Sequence, residues 1–377
     1  MAMHCVVRSD ELQKALAAQQ GITGKKGNMA ILSNLLLEAA EGRLTLTGTD
    51  LEIGLKQSIA AEVVDAGSIT LPAKKLYELT RESGGNDIVL KEQDNAWMEI
   101  ETGPSRYRLA GMTTDEFPQF PAHDQEALVD CPAGIFSELI DKTEFAIAQD
   151  KETVFSLTAA LLQKVEQDGE TCLKMVTSDG HRLTTMTRKA DAQALAKLTI
   201  PPSTLIPRRG VQEIRKFCEN RETVRFGVEE KQIVLQDEQS LLIIRLMKGD
   251  FPDFAALLKN MATDNMVHIN RARFLEALKR MNLFTEDLSH AIKISLSAGK
   301  ITLNSQHTEY GSATDGFEVD YKGPDIDLAF NCRFFIDAMQ VMEGEVIDMA
   351  IQDERSPCMI TSAQDDGFVG IIMPMKL

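Results

Sequence analysis

Ser178-Asp179-Gly180-His181-Arg182-Leu183 gathers a carboxylate, an imidazole and a guanidinium around one glycine. It follows the apolar run Leu173-Lys174-Met175-Val176, so it reads as a strand opening into a turn. Two readings compete. One is an acid–base pair; the other is an Asp-Gly turn whose carboxylate bonds its own backbone. Copies elsewhere in the chain separate them.

Copies exist. Gly48-Thr49-Asp50 and Thr314-Asp315-Gly316-Phe317 give two more aspartates in turn-like settings, so residues 50, 179 and 315 lie 129 and 136 positions apart. Strand-to-helix junctions at Pro72, Pro207 and Asn331 repeat at 135 and 124. The prolines that close each unit, 118, 252 and 374, repeat at 134 and 122. The first two stand in near-identical linkers, Phe117-Pro118-Gln119-Phe120 and Phe251-Pro252-Asp253-Phe254. A domain-sized period in three marker sets predicts an α+β chain of three tandem copies, 1–124, 125–256 and 257–377. Each copy reads as two strand–helix–strands halves, giving six helices and six small antiparallel sheets. A helix is expected over 133–148 in the middle copy.

The repeat weakens the acid–base reading. An active site does not need three copies of its turn with different neighbours. Asp179 therefore reads as structural, and His181 and Arg182 as additions of the middle copy. No nucleophile elbow, P-loop or Ser-His-Asp order accompanies them.

Composition bounds the rest. The 377 residues are 44% hydrophobic and 26% charged, with no run long enough to span a membrane and no leader-like N-terminus. The six cysteines are scattered, without Cys-x-x-Cys, and the six histidines form no ligand spacing, so no metal and no cofactor is expected. The cysteine usage fits a cytoplasmic, reducing compartment. The net charge of −17 opposes nucleic-acid binding, unless base is concentrated on one surface. Candidate basic faces are Lys25 and Lys26 in a polar loop, Lys74 and Lys75, Arg208, Arg209, Arg215 and Lys216, and Lys279 and Arg280. Solvated helix faces without a partner explain the same pattern.

The stretch 178–183, the tail Met373-Pro374-Met375-Lys376-Leu377 and Leu46-Thr47-Gly48-Thr49-Asp50-Leu51-Glu52 resemble the bacterial DNA polymerase III beta subunit family, the sliding clamps. Ile206-Pro207-Arg208-Arg209-Gly210 and Phe251-Pro252-Asp253-Phe254 add to the resemblance, which runs the full length. It implies three clamp domains per chain and a head-to-tail homodimer, hence a pseudo-sixfold ring around duplex DNA with helices lining the hole. Such a ring is no enzyme. It tethers the polymerase III alpha subunit, other polymerases and repair proteins through short peptide motifs, and needs an ATP-dependent clamp loader. The basic helix residues would then face DNA with weak, sequence-independent contacts that permit sliding.

The resemblance also implies a partner-peptide pocket. Its residues here would be Leu157, Ser178, Gly180, His181, Arg182 and Leu183 from the middle copy, then Pro252 and Leu257. The tail adds Ile371, Ile372, Met373, Pro374, Met375, Lys376 and Leu377. Methionines suit a pocket that accepts several partners. Tyr107 and Leu109 would face Leu283 and Phe284 across the dimer interface. Ala256 and Pro357 depart from the family's common arginine and serine, and the loop 148–153 is longer than usual. A clamp-like scaffold or regulatory paralogue is the alternative, and a hydrolase using Asp179 and His181 the third.

Overall fold

The computed structural model describes residues 2–23, 29–149, 154–191, 195–259, 261 and 265–376. Among them are seven α-helices: α1 Ser9–Gln19, α2 Ala73–Arg81, α3 Ala133–Asp141, α4 Arg208–Cys218, the short α5 Ala255–Lys259, α6 Arg271–Asn282 and α7 Cys332–Val341. None is long and apolar enough to cross a membrane. The expected junction residues behave as their chemistry predicts. Pro72 ends a strand and caps α2, where no N–H is needed. Asn331 caps α7 with its side chain, accepting from Arg333 N at 2.9 Å. The helix expected over 133–148 is shorter. It stops at Asp141, and Phe145 lies in a separate 3-10 turn, Glu144–Ala146.

The chain forms two compact units. The first comprises Met1–Gly134, Gln193–Thr199 and Gln212–Leu246; the second comprises Ile135–Ala192, Ile200–Val211 and Met247–Leu377. The division falls inside the middle copy because the sheets do not respect the sequence repeat. Among the described residues four sheets form, not the six small ones expected. In the first unit, Ser240–Arg245 of the middle copy pairs antiparallel with Ile53–Ala60 of the first, and an eight-stranded sheet results. In the second unit, Phe368–Ile372 of the third copy pairs with Arg182–Lys189 of the middle one, giving another. Fusing two half-sheets satisfies the backbone groups that an exposed edge leaves open. A five-stranded sheet ending in Ser105–Ala110 completes the first unit, and a four-stranded sheet ending in Gly311–Glu318 completes the second.

In the first unit Leu12 and Leu16 of α1, Leu76 of α2 and strand residues Leu35, Leu37 and Ile100 form one buried core. In the second, Phe274 of α6 and Phe335 of α7 meet edge to face at 5.9 Å, both fully buried.

The third turn aspartate is a correction. Asp315 sits inside strand Gly311–Glu318, not in a turn. The corresponding turn is Thr308 to Tyr310, between Lys300–His307 and Gly311–Glu318, and it carries no aspartate. Strands Ile53–Ala60, Arg182–Lys189 and Gly311–Glu318 each begin 129 residues after the last. The backbone repeat is thus more regular than the aspartates suggested.

Candidate docking pocket

Asp179 is committed to its own turn. One carboxylate oxygen accepts from His181 N and Arg182 N at 3.0 Å each, and the other accepts from Arg182 Nε at 3.0 Å. Asp50 does the same work in the first copy, accepting from Glu52 N at 3.0 Å and Ile53 N at 2.8 Å. Gly180 takes φ +89°, which a side chain would strain. The acid–base reading thus gives way to the turn reading: the His181 ring stacks on Phe334 at 6.4 Å instead.

Arg182 is fixed on every side. It reaches Asp337 of α7 at 2.6 Å and the Phe145 carbonyl at 2.8 Å. Its guanidinium lies 5.2 Å and 4.7 Å from the Phe145 and Phe334 ring centres. A planar cation held by two carboxylates, a carbonyl and two rings makes a rigid wall.

That wall bounds a cavity of about 180 Å³. Leu157, Ser178, Gly180, Arg182 and Leu183 of the middle copy line it, with Pro252 and Leu257 from the linker region and Ile371 and Met373 from the last strand and tail. These nine come from the residues expected, gathered from positions far apart in sequence. Phe251, Asp253 and Phe254 also line it, and sequence reasoning missed them. Their signal was the repeated Phe-Pro-x-Phe linker, read only as a connection.

His181 and Ile372 do not line the cavity. Ile372 is buried in the sheet, opposite Arg182 and Cys358. His181 contributes its carbonyl, which accepts from Met373 N at 2.9 Å and carries the strand pairing into the tail. Met375 N bonds the Ala329 carbonyl at 2.7 Å, so Pro374 is held between two anchors, and Lys376 is exposed. Leu377, Lys25 and Lys26 lie outside the described residues.

A buried ion pair ties the middle copy to the third within this unit. Lys142 Nζ reaches Asp365 at 2.8 Å and the Val341 carbonyl at 2.5 Å, with both side chains nearly sealed from solvent. Burial alone would raise the Asp365 pKa. Hydrogen bonds from Lys142, Gly344 N and Glu343 N outweigh it and hold the carboxyl below its ordinary value.

The basic candidates differ in freedom. Lys74 and Lys279 are exposed, and neither makes an ion pair among the described residues. Lys75 pairs with Glu78 at 2.6 Å and Lys216 with Glu213 at 2.7 Å. Arg209 is exposed; Arg208 and Arg215 are half-buried. Arg280 reaches Asp315 at 2.6 Å, beside a cavity of about 600 Å³ lined by Leu283, Phe284 and Ala313. Leu283 is 71% exposed. Tyr107 is exposed and Leu109 half-buried, both on the edge strand Ser105–Ala110.

Sequence profiles of the DNA polymerase III beta subunit match three consecutive pieces: its N-terminal domain at 3–121, its central domain at 131–253 and its C-terminal domain at 261–376. The chain belongs to the DNA polymerase III beta subunit family. The beta sliding clamps of Caulobacter vibrioides and Chlamydia pneumoniae are 29% and 28% identical to it, over all of this chain and 100% and 99% of theirs. The solved structure of Caulobacter crescentus pol III beta superposes over both full chains with a TM-score of 0.93 at 29% identity. A Bartonella birtlesii sliding clamp bound to griselimycin does so with 0.93 at 26%. The chain therefore holds three tandem clamp domains, and its function is that of a sliding clamp, a DNA-encircling processivity factor with no chemistry of its own.

Proposed function

We propose that two copies of this chain close head to tail, that the exposed basic helix residues face the enclosed duplex, and that partner peptides dock in the Arg182–Met373 pocket. Domain boundaries follow at 124/125 and 256/257. The observation that carries the reading is the pair of unmatched sheet edges. Internal joins pair the last strand of one copy with the fourth strand of the preceding copy, at Ser240–Arg245 with Ile53–Ala60 and at Phe368–Ile372 with Arg182–Lys189. Only Ser105–Ala110 and Gly311–Glu318 among these equivalents end their sheets. A second copy supplies each edge with the partner that the chain's own repeat prescribes, and a two-fold dimer satisfies both.

The register follows as well. The internal ladders set Leu241 opposite Lys56 and Val369 opposite Thr185. Carried through the repeat, they set Arg106 opposite Thr314 and Tyr107 opposite Ala313 of the second copy. Tyr107 then enters the cavity beside the exposed Leu283 and the half-buried Phe284. Lys74 and Lys279 are free to meet phosphates, and the bulk negative charge keeps DNA from other surfaces.

The test is a paired-cysteine variant, Tyr107→Cys with Ala313→Cys, oxidised and weighed by native mass spectrometry. A covalent dimer of two chains is expected. A monomer, or cross-linking only at a pair shifted by two residues, rejects this interface.

A further inference from the structure

The small pocket opens into a larger groove that the peptide reading does not use. A cavity of about 710 Å³ shares Phe251, Pro252, Asp253 and Phe254 with it and runs on over the strands Ala159–Gln167 and Glu170–Ser178. Leu161, Gln163, Lys174 and Leu258 line its floor and far side. Phe254 stands edge-on to Phe251 at 6.2 Å, and both rings line both spaces.

Lys174 is the unusual group here. Its strand neighbours are Gln163 and Thr187, and its ammonium sits 5.3 Å from the centre of the Phe254 ring. It makes no ion pair among the described residues, whereas Lys189 on the next strand pairs with Glu170 at 2.9 Å. Burial pushes its pKa down. Three carboxylates face the same groove. Glu166 accepts from the Thr171 hydroxyl at 2.9 Å, Asp253 accepts from Ala255 N at 3.1 Å, and Asp250 is exposed; Lys259, also exposed, adds positive charge at the rim. None of the three carboxylates reaches Lys174.

A half-buried cation on an aromatic face, in a groove continuous with an apolar slot, matches one kind of occupant. We infer that Lys174 reads an acidic side chain in the flank of a partner peptide whose apolar anchor fills the Leu157–Met373 pocket. The inference rests on the peptide-docking reading of that pocket. An extended chain advances roughly 3.3 Å per residue, so a flank of about five residues reaches roughly 16 Å beyond the anchor.

The test uses the full-length protein and fluorescently labelled synthetic peptides. A short leucine- and phenylalanine-containing anchor peptide is compared with versions extended on either side by five residues. The extensions are all alanine, or alanine with one aspartate or one lysine at each position. At one extended position the aspartate peptide should bind about three- to tenfold tighter than the alanine peptide, less so in high salt. Lys174→Met should remove that gain while leaving the anchor peptide's affinity and the melting temperature unchanged. Lys174→Glu should transfer the gain to the lysine peptide. Anchor binding with no charge preference at any position overturns the inference and leaves the pocket reading standing. Failure of the anchor peptide itself overturns both. Single-stranded oligonucleotide binding at Lys174, undisplaced by the aspartate peptide, assigns the groove to another occupant and also overturns it.

Discussion

The two internal joins are built alike and end differently. In the first unit the linker ring of Phe120 lies directly on Gly54, so close that a Cβ there would meet the ring at 2.8 Å. Phe120 also packs against Leu128, Val234 and Ile243. In the second unit the position 129 residues on is Leu183, and the linker ring 134 residues on, Phe254, stands aside against Phe251 and beneath Lys174. Leu183, Ile371 and Met373 then floor and close a cavity. One join is covered by its own chain and the other borders an open cavity. Glycine at this sheet position leaves room for the ring in the first join, and leucine stands there in the second.

This contrast can be broken in order of size. The second join depends on the buried Lys142–Asp365 pair. Asp365→Ala leaves the buried Lys142 with only the exposed Glu343 carboxylate at 3.2 Å and the Val341 carbonyl, and should cost about 3 kcal/mol in urea unfolding. The same pair sets an acid limit. Because the folded pKa of Asp365 lies below its ordinary value, the contribution is complete above about pH 4. It is lost as pH falls through the folded value. Unfolding curves that are flat between pH 5 and 2 contradict this.

At the first join, Gly54→Leu drives a side chain into Phe120 and should cost about 1–3 kcal/mol. Adding Phe120→Ala should recover part of that loss. Additive costs in the double variant indicate that the ring and the glycine do not determine each other. Anchor-peptide affinity should not change in either variant, since the pocket is in the other unit.

Met373→Ala separates docking from folding. Its side chain is 37% exposed. The variant should hold its melting temperature and lose roughly tenfold in anchor-peptide affinity by anisotropy. The smallest contrast is between the two aspartate turns. Asp50→Ala removes the two backbone bonds of its turn and should cost about 1 kcal/mol. Asp179→Ala should cost about the same in stability but also weaken peptide binding, because Asp179 orients Arg182. Equal peptide affinity in both variants would mean that Asp337, the Phe145 carbonyl and the two rings hold Arg182 without Asp179.

Much of this was legible in the sequence. The shared turn at Asp50 and Asp179, the capping residues Pro72 and Asn331 and the near-copied linkers are local chemistry, and local chemistry repeats visibly. Asp315 misled because Thr-Asp-Gly has turn composition, whereas this aspartate lies in an edge strand and binds Arg273 and Arg280. The four-sheet arrangement was not legible. Pairing Ile53–Ala60 with Ser240–Arg245 depends on which edges meet in space, and both strands satisfy the same alternation either way. In the pocket, the resemblance led to Leu183 and Met373, which line the cavity, and equally to His181, whose ring stacks on Phe334 outside it. Phe254 was under-read because a linker aromatic resembles ordinary core.

The central claim is topological: the protein stays on DNA because it surrounds it. The most direct measurement loads the protein onto nicked circular DNA, isolates the complex by gel filtration and then cuts the circle once. Retention on the circle, followed by release from the cut DNA at the same salt, is the predicted result. Equal retention before and after cutting would mean that contacts rather than closure hold the protein, and would contradict the account.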